Sequence, residues 1–440
     1  MSREEWLGMA GVMVALGGGL PLVRMIALRA GVPAEVARKA VHILMGLVCV
    51  TFPWLFDRPQ PVWVLAALAT IPLMCLRLVP KLRAGIGSAL HGVSRPSYGE
   101  VLFAPAVALV FDLAGGDAFL FCIPVAVLTL ADAAGALGGT RWGRHRYGSG
   151  EGFKSFEGSA VFFLTALACV WLPLWLGGRT DVLTALWIGL ILGLLAMMAE
   201  GLADRGFDNL VIPVGCFFVL ARLLEMDGMA LVGRLVVAVF FLGLVLSGSR
   251  WSTLSGGALL GCALLGYGCA VLADLRFILP PLAVFVCHVV VTRRHRLVGM
   301  FDHRLDAVLS HAIGCLPWVL AVERGVVSAD VGLAGVSFAM ATQLGVMTGA
   351  THWWVHGRRA EMLRTMAKGW VCGALPGLVW LWQDSRALVW PVLVALVASW
   401  VAVDFFRRVK PETVKHVTRL WVFQGAVALL CSLPALWFEP

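Results

Sequence analysis

Long apolar runs alternate with short polar gaps along almost the whole chain. The runs lie near 6–27, 37–56, 61–76, 97–112, 118–138, 156–176, 182–201, 210–225, 229–246, 254–273, 277–292, 306–322, 328–347, 369–383, 388–406 and 418–437. Each comes close to the ~17–25 residues that cross a hydrocarbon core as a helix. Backbone groups in lipid must find partners within their own segment, so open strands are excluded. The pattern predicts an all-α, polytopic integral membrane protein of about 16 transmembrane helices, built as a membrane domain over 1–228 and a second helical membrane domain over 229–440.

Composition supports that reading. Of 440 residues 60% are hydrophobic and 14% charged, and the mean hydropathy is +0.87. A soluble chain of this length needs far more polar surface. The net charge of +9 does not point to a nucleic-acid partner, because the basic residues sit in short loops without a basic face. The eleven cysteines are scattered singly and read as small apolar residues. Segment 6–27 is followed by another span, so it reads as the first helix and not as a cleaved leader.

Sorting the 35 Lys and Arg by loop sets an orientation. The odd-numbered loops and their borders hold 26, from Arg29, Arg38 and Lys39 through Arg141, Arg144, Arg146 and Lys154 to Arg407 and Arg408. The even-numbered loops hold seven: Arg58, Arg179, Arg222, Arg234, Arg276, Arg324 and Arg386. The positive-inside rule then predicts odd loops in the cytoplasm and both termini outside.

Polar residues gather at four places in the first half. "EVARKAVHILMG" carries Arg38, Lys39 and His42, with Arg38 and His42 one turn apart. "SRPSYGE" carries Arg95, Ser97 and Glu100 at a helix start. "LADAAGALGGTRWGRHRYGSGEGFKSFEGSA" joins Asp132, a Gly135/Gly139 pair, three arginines, a glycine-rich turn, Lys154, Ser155, Glu157 and Ser159. "EGLADRGFDNLVIP" supplies Glu200, Asp204, Asp208 and Asn209. Each has a plain alternative: a snorkelling basic end, an ordinary N-cap, a helix-packing G-x-x-x-G, a solvated acidic loop. All four nevertheless fall in loops 1, 3, 5 and 7, on one side of the membrane. Glycines, fixed cations and carboxylates together suit a phosphate chain with Mg²⁺. The spacing is not that of a Walker A loop.

In this order the motifs resemble the phytol kinase and dolichol kinase (polyprenol kinase) family of integral-membrane lipid-alcohol kinases, over roughly residues 30–225. The resemblance rests on R-K-x-x-H, S-Y-G-E, D-x-x-x-x-x-G-G…K-S-x-E-G-S and G-x-D-N-x-x-x-P (Gly206, Asp208, Asn209, Pro213). It implies transfer of the γ-phosphate of a nucleoside triphosphate, typically CTP, to a lipid alcohol, giving a lipid monophosphate. On that resemblance Arg38, Lys39, Arg141, Lys154 and Ser155 are expected to grip phosphates. Asp132, Glu157 and Asp208 are expected to hold Mg²⁺, Asn209 to orient a ligand, and His42 or an acid to accept the alcohol proton. The site would face the cytoplasm, in a bacterial cell at the inner membrane. The third motif is shared with CTP-using phosphatidate cytidylyltransferases, and a polytopic chain with buried acids also fits a transporter or flippase.

The second half lacks the full signature. Gly345 and Gly349 can be laid over Gly135 and Gly139, which puts Thr342 where Asp132 stands, with Lys368 following. The segment faintly resembles the phytyl-phosphate kinase family. A degenerate duplicate and unrelated small-residue packing are the other readings. His352 and His356, one turn apart beside Trp353 and Trp354, read as interfacial residues or as two metal ligands lacking a third.

Overall fold

The computed structural model describes residues 2–78, 98–149, 152–202, 206–248, 250–294, 305–357, 359–408 and 414–438. Arg95, Ser97 and Asp204 of the polar clusters lie outside them. Helices occupy the apolar runs: α1 (Arg3–Arg29), α2 (Ala34–Val50), α3 (Pro59–Leu78), α4 (Gly99–Ala114), α5 (Ala118–Trp142), α6 (Phe156–Leu176), α7 (Val182–Leu202) and α8 (Asp208–Leu223). Beyond them lie α9 (Gly228–Gly248), α10 (Gly256–Leu272), α11 (Leu279–Arg294), α12 (Leu305–Glu323), α13 (Ala329–His356), α14 (Met362–Lys368), α15 (Ser385–Arg408) and α16 (Val414–Ser432). The protein is all-α and polytopic. Among the described residues nine helical stretches are long and apolar enough to span a membrane, and three shorter apolar helices accompany them. α2, α4 and α8, at 16 or 17 residues, fall outside both groups.

Polar caps punctuate the helices where the sequence supplies them. Ser2 and Glu5 form a reciprocal capping box on α1. Asp117, Ser155, Ser255 and Ser328 each accept a first-turn N–H at the start of α5, α6, α10 and α13. Many large apolar side chains are exposed, such as Leu28, Leu176 and Trp390, as expected where lipid is the solvent.

The chain divides into two compact units, Met1–Ala238 and Val239–Pro440. Within the first, residues of even-numbered loops meet one another: Arg179 pairs with Asp117 at 2.9 Å. Within the second, Arg276 of an even loop pairs at 3.0 Å with Asp330 in the first turn of α13. The last part of the chain holds a surprise for simple run-counting. Helix is continuous in name from Met362 to Arg408, 47 residues. Yet the Arg407 guanidinium donates to the Ala360 carbonyl at 3.2 Å, so the run folds back on itself. It does so through the 3-10 segment Val379–Asp384, where Leu381 leaves helical geometry. Two antiparallel arms result, with a kink a few residues before the gap at 384–387 that the sequence predicts.

Candidate functional site

Five charged side chains meet where odd-numbered loops join the helices of the first unit. Lys39, in the second turn of α2, is buried and bonds Asp132 through Nζ to Oδ2 at 2.7 Å. Asp132 owes its position to a π-turn at Val127–Ala131 inside α5. Such a turn widens the helix by one residue and shifts the register of the residues after it. His42 reads the same distortion. Its Nε2 lies 3.2 Å from the Leu128 carbonyl and 3.5 Å from Asp132 Oδ2, and its ring packs edge-on to Phe103 at 5.3 Å. A carbonyl only accepts, so Nε2 carries the proton. One turn on, Gly46 lets α2 touch α5: a Cβ there would fall 1.9 Å from Thr129 Oγ1.

Lys154 comes from a small β-hairpin, β1 (Arg146–Ser149) and β2 (Gly152–Ser155), with Tyr147 opposite Lys154. The Tyr147 hydroxyl meets Ser159 Oγ at 2.8 Å and ties the hairpin to α6. Burial pushes the Tyr147 hydroxyl up from its ordinary range, so it stays protonated in that contact. From this anchor the Lys154 ammonium reaches Glu200 Oε2 at 2.5 Å and the Glu200 carbonyl as well, at the end of α7. Gly135 and Gly139 provide the close approach of α5 to α6; a Cβ at Gly135 would lie 2.9 Å from Phe162 Cβ. The G-x-x-x-G pair therefore packs helices.

Asp208 opens α8. Carboxylate oxygens of Asp132, Glu200 and Asp208 lie within 4.8 Å of one another, the one group of this kind among the described residues able to hold a metal ion. Three carboxylates so close repel strongly unless cations intervene. Lys39 and Lys154 neutralise two. The third has no such partner: Asp208 Oδ1 is buried and accepts no hydrogen bond from the described residues. A bare buried carboxylate oxygen is costly, and a hard divalent cation satisfies it. The donor set fits Mg²⁺.

The other predicted residues take different places. Arg38 is exposed and bidentate to Glu35, at 3.0 and 2.6 Å. Arg141 is exposed at the end of α5, without a partner among the described residues. Ser155 is buried as the N-cap of α6, accepting from the Gly158 N–H at 3.1 Å. Asn209 is half-buried beside Asp208. Glu157 lies apart from the three acids, accepting the backbone N–H groups of Arg144 and His145 and meeting His145 Nδ1 at 2.7 Å. Glu200 stands in the acid group instead. Its signal in the sequence was an acid ending a long apolar helix, which only the contact with Lys154 singles out. Tyr98, from the second polar cluster, places its ring 6.1 Å from that of Phe207, next to Asp208.

Comparison with known proteins adds a relative. The chain is 31% identical over 224 residues to the phytol kinase of Synechocystis sp., covering 91% of that protein and 49% of this chain. No family model matches the chain, and no solved structure matches it.

Proposed function

The chain belongs to the phytol/polyprenol kinase family, and from that premise we propose that it moves the terminal phosphoryl group of a nucleoside triphosphate, CTP, to the hydroxyl of a long isoprenoid alcohol. The product is a lipid monophosphate. The observation that carries the proposal is the convergence of Lys39, Asp132, Lys154, Glu200 and Asp208 at one end of the first unit's helices.

Phosphoryl transfer needs positioning and charge neutralisation more than covalent help. Lys154 is a quarter exposed, and Arg141 and Arg38 are further out. These three face an incoming phosphate chain, and Lys154 can exchange Glu200 for phosphate oxygens. Asp132, Glu200 and Asp208 would hold Mg²⁺, which when bound neutralises phosphate charge. Lys39 fixes Asp132 in place. His42 commits its Nε2 proton to the Leu128 carbonyl, which makes it a positioning residue for the π-turn. That leaves an acid of this group to take the alcohol proton, while Asp208 Oδ1, bare of hydrogen bonds, is turned to the cation. The alcohol's tail lies among apolar helices with its hydroxyl presented at this end. The end faces the cytoplasm, because loops on this side carry most of the lysines and arginines.

The test is purified full-length protein with γ-labelled CTP and a panel of isoprenoid alcohols. Label is expected in a lipid monophosphate, and Asp208→Asn is expected to lower its rate roughly 10²–10³-fold with normal membrane levels. A cytidine-bearing lipid with pyrophosphate release would make the protein a cytidylyltransferase. Alcohol movement without nucleotide would make it a transporter.

A further inference from the structure

Two chambers adjoin inside the second unit. The larger is a cavity of about 150 Å³ between α9, α10, α11, α12, α13 and α16, and its wall is mostly apolar, with Phe241, Leu259 and Phe285 on it. The smaller holds about 10 Å³, room for about one water-sized group. His288 of α11 and Met347 and Thr351 of α13 line both, so the chambers share a wall. Met347 and Thr351 stand one turn apart, on one face of α13.

Lys368 lines the small chamber. It ends α14, inside the helical stretch Met362–Arg408 that is apolar enough to span a membrane. An ionisable side chain in such a stretch marks a functional place by default. Its ammonium rides on a flexible stem and is a compact charge rich in donors. The titratable groups that act on it among the described residues are the thiols of Cys287 and Cys372. The Thr348 hydroxyl, on the same wall, is committed to the Leu344 carbonyl at 2.7 Å. Thr351 brings a further hydroxyl to the border between the two chambers. A cation at the closed end of a greasy chamber draws an anion that carries its own hydrocarbon.

The geometry points to a second ligand site in this unit, for a single-chain lipid carboxylate: its hydrocarbon lies in the large cavity, among Phe241, Leu259 and Phe285, and one carboxylate oxygen enters the small chamber to meet Lys368. One ammonium balances the single charge of a carboxylate in a charge-assisted hydrogen bond. Size decides against a phosphate monoester, whose three outward oxygens exceed a water-sized end. The site uses no residue of the first unit and stands whether or not that unit transfers phosphate.

The experiment uses purified full-length protein in phosphatidylcholine nanodiscs at about pH 8, where a carboxyl is ionised. The probe is a long-chain fatty acid with a photoreactive diazirine in mid-chain. Saturable labelling of peptides from the wall of the large cavity is expected. Unlabelled acid should compete, and its methyl ester and the alcohol of the same chain, which carry no charge, should compete about tenfold more weakly. Lys368→Met should bring the acid down to the level of the ester, and Lys368→Arg, which restores a cation, should recover part of the difference. Asp208→Asn should leave this labelling in place; its loss there would put the acid in the first unit and overturn the assignment. An ester that competes as well as the acid, or labelling that never reaches the cavity wall, overturns it too. An alkyl monophosphate of the same chain that displaces the probe more strongly than the acid overturns the choice of a carboxylate. The ester comparison needs no variant to fold.

Discussion

The two units use one packing device with different chemistry on it. In the first, Gly135 and Gly139 on α5 let a neighbouring helix come close, and three residues before the pair stands Asp132, bonded to buried Lys39. In the second, Gly345 on α13 faces Val403 and Gly349 faces Arg407, both on α15. Three residues before that pair stands Thr342, whose hydroxyl meets Ser399 Oγ at 2.7 Å and the Phe338 carbonyl at 3.1 Å. A charged pair and a hydroxyl pair occupy matching places on similar scaffolds. Close helix packing is thus common to both, and at this position the first carries an ion pair where the second carries hydroxyls. The first unit brings three acids and two lysines together at one place; the second has a largely apolar cavity.

The comparison breaks first at Lys39. Lys39→Met leaves the Asp132 carboxylate buried without its partner and is expected to cost ~3–5 kcal/mol, read as a lower unfolding midpoint. Lys39→Met combined with Asp132→Asn should recover most of that loss, because no buried charge remains. Single and double variants with equal loss would mean that Lys39 matters for packing alone. A second measurement asks whether the acids hold a metal. Mg²⁺ at about a hundred times its dissociation constant should stabilise the unaltered protein by ~2.7 kcal/mol. Asp208→Asn should remove the shift. A shift unaffected by that variant would place the ion elsewhere.

On the neutral side the effects shrink. Thr342→Val removes a hydroxyl bonded to Phe338 and Ser399, and about 1 kcal/mol is expected, with phosphoryl transfer unchanged. If Thr342→Val abolished transfer, the hydroxyl pair would belong to the catalytic chemistry and the contrast between the units would fail.

Much of the architecture was legible in the sequence because lipid imposes a minimum helix length and each apolar run meets or approaches it. Predicted span 156–176 coincides with α6, and 182–201 with α7 to within a residue. Other features depend on contacts far apart in sequence. The π-turn at Val127–Ala131 leaves no mark in hydropathy. The hairpin at 146–155 is too short and glycine-rich to show a strand period. Pairings such as Lys39 with Asp132, 93 residues apart, arise from which helices pack together, and no local pattern records that. The sequence located the clusters by their loops, and the packing chose the partners within them.

Glu157 and Glu200 make the finest test of that last step. Both acids lie near Lys154, one by sequence and one in space. Glu157 sits on the rim, holding the Arg144 and His145 backbone N–H groups, so it shapes the turn before the hairpin. Glu157→Gln keeps an acceptor for those N–H groups and gives up only an exposed interaction with His145. Its effect on turnover is expected to stay below about fivefold, in line with the small worth of surface ion pairs. Glu200→Gln instead removes a charge from the group formed with Asp132 and Asp208, frees the Lys154 ammonium from its partner, and should slow transfer at least tenfold more than Glu157→Gln does. The two glutamates can be compared in one assay with the same alcohol. A larger loss at Glu157 would move the metal-holding acid to the hairpin's edge and leave Glu200 as an anchor for Lys154 alone.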